Sequence, residues 1–269
     1  MVGSIGAMTK FSKADGKRLT FDRPLLRARL LNRPNRYVAY AELNGEEVRC
    51  HTPVGGRIGG LTLDGLPCLL SGPYEGRATD YTVEAIGLGQ FEDPEFQWLA
   101  INQTAVNSYV REFFKQGELT DLAPGLTAEA SSFLQPERKL GSARIDLHVA
   151  VPEERELWVE VKTPLIKLHA ALPESIPVRT DYKSDSVGAR MPKQMRELFK
   201  ELRAGKRVVL LAAFGYANTL QSSDELKLKD NLDLDGLLTE GRGLGLESWQ
   251  LEFALDEAGV SLKSCQQLS

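Results

Sequence analysis

Asp146, Glu160 and Lys162 are the residues whose types and spacing could do chemistry. Asp146 lies in Arg144-Ile-Asp-Leu-His-Val-Ala-Val151, and the other two lie in Leu157-Trp-Val-Glu-Val-Lys162, with the turn-like Pro152-Glu-Glu-Arg-Glu156 between. Two carboxylates held close together repel unless a cation sits between them. Hard oxygen ligands at a partly open site suit Mg2+ or Mn2+, which keep several waters. An ion there makes water easier to deprotonate, and the Lys162 ammonium could orient that water or offset charge on a phosphorane-like transition state. The chemistry this points to is phosphodiester hydrolysis, with Asp146 and Glu160 as metal ligands and all three side chains catalytic.

For the three to meet, the two segments must form a β-hairpin. Ile145, Leu147, Val149 and Val151 alternate with Arg144, Asp146, His148 and Ala150, and Leu157, Val159 and Val161 alternate with Trp158, Glu160 and Lys162. Each strand therefore has one apolar and one polar face. A loop centred near Glu154 sets Asp146 opposite Lys162 and His148 opposite Glu160. The plainer reading is a solvated polar strand face, because a Glu-x-Lys triplet is cheap in a chain that is 26% charged; Glu225-Leu-Lys227 has the same form. Against it stand the shared parity, the continuous apolar side, and a following helix that presents Arg190, Lys193, Gln194 and Glu197.

With 269 residues and 42% hydrophobic content, the chain can bury a substantial core, as one large domain or two smaller ones. No apolar run approaches the roughly 20 residues that cross a bilayer, and no secretory signal opens the chain, so a soluble cytoplasmic protein without a membrane partner is expected. Cys50, Cys68 and Cys265 are scattered and read as reduced thiols. The net charge of −4 argues against a protein coated in nucleic acid, yet Lys17, Arg18, Arg23, Arg27, Arg29, Arg33 and Arg36 make one locally basic span.

Taken in order, residues 1–20 are small and polar and predict a flexible tail. Short strands are expected at Leu25–Leu31, Tyr37–Leu43, Glu47–His51, Cys68–Ser71 and Asp80–Ile86, punctuated by Asn44-Gly45, Gly55-Gly56 and Asp64-Gly65. Five short strands suit a small barrel of the oligonucleotide-binding (OB) kind over residues 21–90; a sandwich piece or an SH3-like barrel gives much the same signal. Arg27, Arg29, Arg36, Arg49 and Arg77, with Tyr37 and Tyr74 interleaved, could track a nucleic-acid backbone and stack bases, although Tyr37 reads equally well as a core residue. Residues 91–269 then form a second domain. It holds a helix over Gln97–Gln116, a polar turn at Glu137–Gly141, the hairpin, a loop over Pro164–Gly188, and a helix striped by Met191, Met195, Leu198, Phe199 and Leu202. A buried strand at Arg207–Phe214, a short helix near Leu234–Glu240, a glycine turn at Gly241–Gly245 and a closing hairpin follow. The order implies a mixed sheet with helices on both sides, an α/β (α+β) class.

Several stretches together resemble the sugar fermentation stimulation protein family, SfsA. They are Leu26-Arg-Ala-Arg-Leu30 with Asn35-Arg-Tyr-Val-Ala39; Asn102 and Asn107; Ala143-Arg-Ile-Asp146; Trp158-Val-Glu-Val-Lys-Thr163; and Arg190 to Leu198 with Lys193, Arg196 and Glu197 in register. The resemblance implies an OB-like barrel fused to a restriction-endonuclease-like domain of the PD-(D/E)xK type. It further implies Asp146 and Glu160 as ligands of Mg2+ or Mn2+, Lys162 as the catalytic lysine, and Arg190 and Lys193 nearby. The chain departs from the family at Cys50-His-Thr-Pro-Val-Gly55, where a His-Cys-Pro-Asn-Thr-Gly type turn is usual, and at Gln194, which stands for a His. The Glu expected before the hairpin has two candidates, Glu129 and Glu137. The function expected is a metal-dependent nuclease on DNA or RNA, with Arg27, Arg29, Arg36, Arg77, Arg190, Lys193 and Gln194 on the nucleic acid. A non-catalytic DNA-binding or regulatory protein on the same fold is the alternative, and a homodimer is left open.

Overall fold

The structure is a computed structural model that describes residues 10–54, 56–174, 176, 178, 190–220, 222 and 232–269. The Gly55 end of the first glycine pair, most of the second half of the Pro164–Gly188 loop and the Glu225-Leu-Lys227 triplet lie outside the described residues.

Strands β3 (Leu26–Asn35), β4 (Val38–Leu43), β5 (Glu46–His51), β6 (Pro67–Ser71) and β7 (Tyr81–Leu88) close on themselves. β3 pairs with β4 and β6, β4 with β5, β6 with β7, and a short parallel pairing of β5 with β7 completes the ring. This is the closed five-stranded arrangement of an OB barrel. Alternation decides the inner face: Ala28, Leu30, Ala39, Ala41 and Cys50 are buried, while Arg27, Arg49 and Glu42 point out. A sixth strand, β8 (Gln97–Ala100), extends the sheet beside β7.

The second sheet has eight strands in the order β1-β2-β14-β13-β12-β11-β10-β9. They comprise β1 (Phe11–Asp15), β2 (Arg18–Phe21), β9 (Leu134–Leu140), β10 (Ala143–Val149), β11 (Leu157–Lys162), β12 (Arg207–Phe214), β13 (Glu247–Leu255) and β14 (Gly259–Gln267). Only β11–β12 and β12–β13 run parallel. Helix α1 (Gln103–Lys115) packs Val106, Tyr109, Val110 and Phe113 onto one face, with Val159, Val209, Leu211 and Phe253. Helix α2 (Arg190–Arg203) packs Met191, Met195, Leu198 and Phe199 onto the other, with Trp158, Val208 and Leu210. Helix α3 (Leu232–Gly243) lies against α2. With both faces covered, β12 is apolar from Val208 to Phe214. No helix among the described residues is long and apolar enough to cross a membrane.

Five expectations are corrected. Residues 11–21 are not a tail: Leu19 and Phe21 are buried, and β2 pairs with β14 at the edge of the second sheet. The helix expected from Gln97 begins at Gln103, because Gln97–Ala100 pairs with β7 and Asn102 caps the helix through an Oδ1 contact to the Ala105 N–H at 3.1 Å. Glu137–Leu140 is strand, and its charge is that of an edge: β9 pairs only with β10. Gly241–Gly245 is largely helix; a Cβ at Gly241 would lie 2.9 Å from a Phe199 ring carbon, so glycine lets α3 approach α2. Finally, the β10–β11 register centres on Glu153, which takes a left-handed φ of 67°, so that His148 faces Trp158 and Leu147 faces Val159. The register differs by two residues from the one expected, and parity survives.

Candidate active site

The face of β11 that carries Glu160 is not a solvated one. Trp158, Glu160 and His148 are 5%, 1% and 6% exposed, because α2 covers that side of the sheet. His148 stacks on Trp158 with ring centroids 4.1 Å apart and reaches Glu156 at 3.3 Å, outside the acidic cluster. At Asp146 the strand pair opens. Its Oδ2 accepts the Val161 N–H at 2.8 Å, a side chain doing what a ladder carbonyl would otherwise do. Val161 lies between Glu160 and Lys162, so this bond brings the Asp146 carboxylate to both. Asp146 Oδ1 accepts from Asn107 Nδ2 of α1 at 3.0 Å. The apolar alternation slips at the same point: Ile145 joins the core beneath α2, whereas Leu147 and Val149 join the core beneath α1.

Glu160 Oε1 accepts from Lys162 Nζ, and Glu160 Oε2 is buried with no hydrogen-bond partner. Burial pushes the Glu160 carboxyl up to about 7; Lys162 opposes the shift and the charge of Asp146 adds to it. Burial also raises Asp146, against Lys162 and the Val161 and Asn107 donors, with Glu137 adding to the rise. Two carboxyls that resist joint ionisation, one with an orphaned oxygen, are a site short of positive charge. Among the described residues no group of three or more His, Cys, Asp or Glu side chains gathers, so an ion would keep waters in its shell, as Mg2+ does.

Of the other residues singled out by sequence, Gln194 turns inward: it is buried, and its Nε2 donates to the Arg144 carbonyl at 3.0 Å, bracing β10 beside Asp146. Lys193 is exposed on α2. Arg190 starts α2, and its side chain lies outside the described residues. Glu137 has a left-handed φ of 51°, an uncommon conformation for a residue with a Cβ, and pairs with Arg144 at 3.0 Å; Glu129 is exposed in a loop. In the barrel, Arg27 pairs with Glu257, and Arg29 donates to the Gly65 carbonyl and Gln90, each at 2.6 Å. Arg36 and Arg77 lie at the barrel rim, over Tyr37 and Tyr74.

Glu84 was invisible to motif reasoning. Buried on β7, it accepts from Ser71 and, at 2.8 Å, from Asn102 Nδ2. That bond fixes the Asn102 amide so that its oxygen caps α1, the helix bearing Asn107. A lone charge in the apolar run Val83-Glu-Ala-Ile86 was the available signal.

The arrangement has relatives. Residues 31–91 match the model of the SfsA N-terminal OB domain, and residues 104–233 match that of the sugar fermentation stimulation protein RE domain. A sugar fermentation stimulation protein homolog of Methylobacterium sp. (strain 4-46) is 33% identical over 199 residues, covering 72% of this chain and 75% of the relative. The chain belongs to the sugar fermentation stimulation protein family. A second homolog, from Methylorubrum extorquens, is 31% identical and spans 91% of this chain and 92% of its own length. The solved structure of Pyrococcus furiosus SfsA in complex with Ca2+ has the same fold, with a TM-score of 0.68 at 18% identity, over 91% of this chain and 95% of that one. An OB domain joined to an RE domain supports a nucleic-acid-related role for this SfsA member.

Asn107 gives a direct handle on the site. Asn107→Ala removes one of the two donors holding Asp146; if Asp146 ligates a divalent ion, the change should weaken ion binding by about 10- to 100-fold, the usual effect of losing a ligand's supporting hydrogen bond. Calorimetric titration checks this; unchanged affinity would mean the bond does not hold a ligand.

Proposed function

We propose that this SfsA protein is a divalent-metal-dependent nuclease that hydrolyses phosphodiester bonds in DNA or RNA. The single observation that carries the reading is Glu160: a carboxylate 1% exposed, with one oxygen on Lys162 and the other on nothing, beside a second carboxylate. Lys162 satisfies one oxygen of this buried group, and nothing in the fold satisfies the other. Burying an ionised carboxylate without full satisfaction costs several kcal/mol, on the order of what a bound cation returns.

The residues present fit Mg2+ or Mn2+: Asp146 and Glu160 supply hard, anionic oxygens, with too few protein ligands for a closed cage. The Pyrococcus furiosus relative was solved in complex with Ca2+, an ion of the same hard class. When bound, such an ion supplies Lewis acidity, polarising the phosphate and lowering the pKa of nearby water. The chain does the rest. Asn107 and the Val161 amide fix the direction of Asp146. Lys162, at 23% side-chain exposure against 1% for Glu160, presents an ammonium that a phosphate can approach, where it offsets charge that grows on the non-bridging oxygens.

The test is hydrolysis of end-labelled single- and double-stranded DNA and RNA with Mg2+ or Mn2+, and with EDTA as control. Metal-dependent cleavage is expected. Binding that persists in EDTA with no cleavage under either metal would replace this reading with the non-catalytic DNA-binding one.

A further inference from the structure

The junction between the two sheets is built around one buried carboxylate. Strand β8 leaves the barrel's sheet and runs through Ile101 and Asn102 into α1, so this short stretch belongs to both halves of the molecule. On one side it is held by β7: the Glu84 carbonyl accepts the Ile101 N–H at 2.9 Å and the Asn102 N–H at 3.3 Å. On the other it is held by the chain leaving β12. There the Gly215 carbonyl accepts the Ala100 N–H at 3.2 Å, and Gln97 Oε1 accepts the Ala217 N–H at 2.8 Å. A Cβ at Gly215 would strike that of Ala100, so glycine lets the two halves close.

The Glu84 side chain adds a second tie at the same place. It is 3% exposed, and both its hydrogen-bond partners are neutral: the Ser71 hydroxyl at the end of β6, and Asn102 Nδ2. Burial pushes this carboxyl above the usual range, against those two donors. The Asn102 amide is thereby committed at both ends, its nitrogen to the barrel and its oxygen to the Ala105 N–H in the first turn of α1.

What lies along the helix gives that commitment a consequence. Asn107 donates to Asp146 Oδ1 at 3.0 Å, and about 7.5 Å of helix separates it from the cap, at 1.5 Å per residue. A rigid helix passes on an axial slide undiminished. About half an ångström takes the Asn107 bond from 3.0 Å to the edge of hydrogen bonding.

We infer that Glu84 is a positioning residue through which the barrel fixes Asp146, and with it the affinity of the Asp146–Glu160 pair for an ion: β6 and β7 hold Glu84, Glu84 holds the Asn102 cap, and α1 carries the setting to Asn107. The ion rests on the nuclease reading; the tie between barrel and Asp146 does not.

Exchanging donor and acceptor across the Glu84–Asn102 bond tests the inference. In Asn102→Asp the new side chain caps α1 as well as asparagine does, but it sets a carboxyl against Glu84, where the two must repel or take up a proton. Mn2+ binding, titrated calorimetrically into the full chain at pH 8, should weaken by about 3- to 30-fold. Adding Glu84→Gln to that variant remakes the bond in reverse, the glutamine donating to the aspartate and accepting from Ser71, and should return affinity to within about twofold of the parent. Glu84→Gln alone keeps both contacts, because the Ser71 hydroxyl can turn to accept, and should bind like the parent. A role confined to helix capping predicts no loss in Asn102→Asp, and general damage to folding predicts no recovery in the double variant; either result would overturn the inference. Exchange of the Val161 N–H, which donates to Asp146 Oδ2 at 2.8 Å, is followed by NMR in the metal-free proteins and should quicken and recover in the same pattern. A parent that takes up no Mn2+ defeats the nuclease reading alone. The exchange pattern then decides, and unchanged exchange in Asn102→Asp would overturn the tie as well.

Discussion

On the proposed nuclease reading, Lys162→Ala and Asp146→Ala should each reduce cleavage by on the order of 10³-fold, and Glu160→Gln should do the same while making the metal-free protein more stable. The opposed effects follow from one cause. Glu160 is held at about 7, above the 4.5 of an unperturbed glutamate, because the fold buries its carboxylate and sets Asp146 beside it. A carboxyl whose folded pKa is raised binds a proton that the unfolded chain has released. Its contribution to stability is therefore greatest at low pH, falls as pH rises from about 4.5 to about 7, and is flat above. Asp146 is shifted in the same direction. Glutamine has no proton to lose, so denaturant unfolding of Glu160→Gln should show a shallower fall across that window than the parent, and higher stability at neutral pH. Lys162→Ala should do the reverse and destabilise the metal-free protein, since it removes the partner of Glu160 Oε1. A Glu160→Gln variant that cleaves at the parent rate would show that the buried carboxylate is structural. One that is less stable than the parent at pH 7 would show that Glu160 is comfortably ionised without an ion.

The largest purely structural effect is expected at Phe113. It is fully buried on the underside of α1, among Leu119, Leu122, Val209 and Phe253. Phe113→Ala should cost about 3–5 kcal/mol through lost apolar burial and the cavity left behind. Urea unfolding monitored by far-UV circular dichroism measures it. Because α1 carries Asn107, the same change loosens the hold on Asp146. A Phe113→Leu variant, which keeps most of the volume, should recover most of the stability and the activity together. A loss below about 1 kcal/mol in the alanine variant would mean that α1 is not part of the cooperative core.

How much of this could be read from sequence differs from element to element, for physical reasons. The strands from β3 to β7 were legible because Gly and Asn turns cut the chain at short intervals and one face of each strand alternates cleanly. The strand at Arg207–Phe214 was legible because a run apolar on both faces fits only a sheet interior. The even-with-even pairing of His148 and Trp158 was legible too, since parity survives any even shift of register, but the opening of the ladder and the slip of the alternation at Asp146 were not. What failed depended on partners distant in the chain. The polar side of β11 looks solvated until α2, some thirty residues on, covers it. The strand at Arg18–Phe21 looks like a tail because what buries Leu19 and Phe21 is β14, at the far end of the sequence. Trp98 and Leu99 suit a helix or a strand equally, and pairing with β7 decides. Gln194 was read as a surface contact from its helical position, whereas its partner is the backbone of β10. The role of Glu84 depends on Ser71 and Asn102, which no local pattern links to it.

The central claim is that Asp146 and Glu160 jointly hold a divalent ion, and calorimetric titration of Mn2+ into the protein at pH 8, where Glu160 is mostly ionised, tests it most directly. The account predicts binding to the parent protein, loss of that binding in both Asp146→Ala and Glu160→Gln, and binding at least as tight in Lys162→Ala, where the competing ammonium is gone. Equal affinity in the parent and the two carboxylate variants would contradict it.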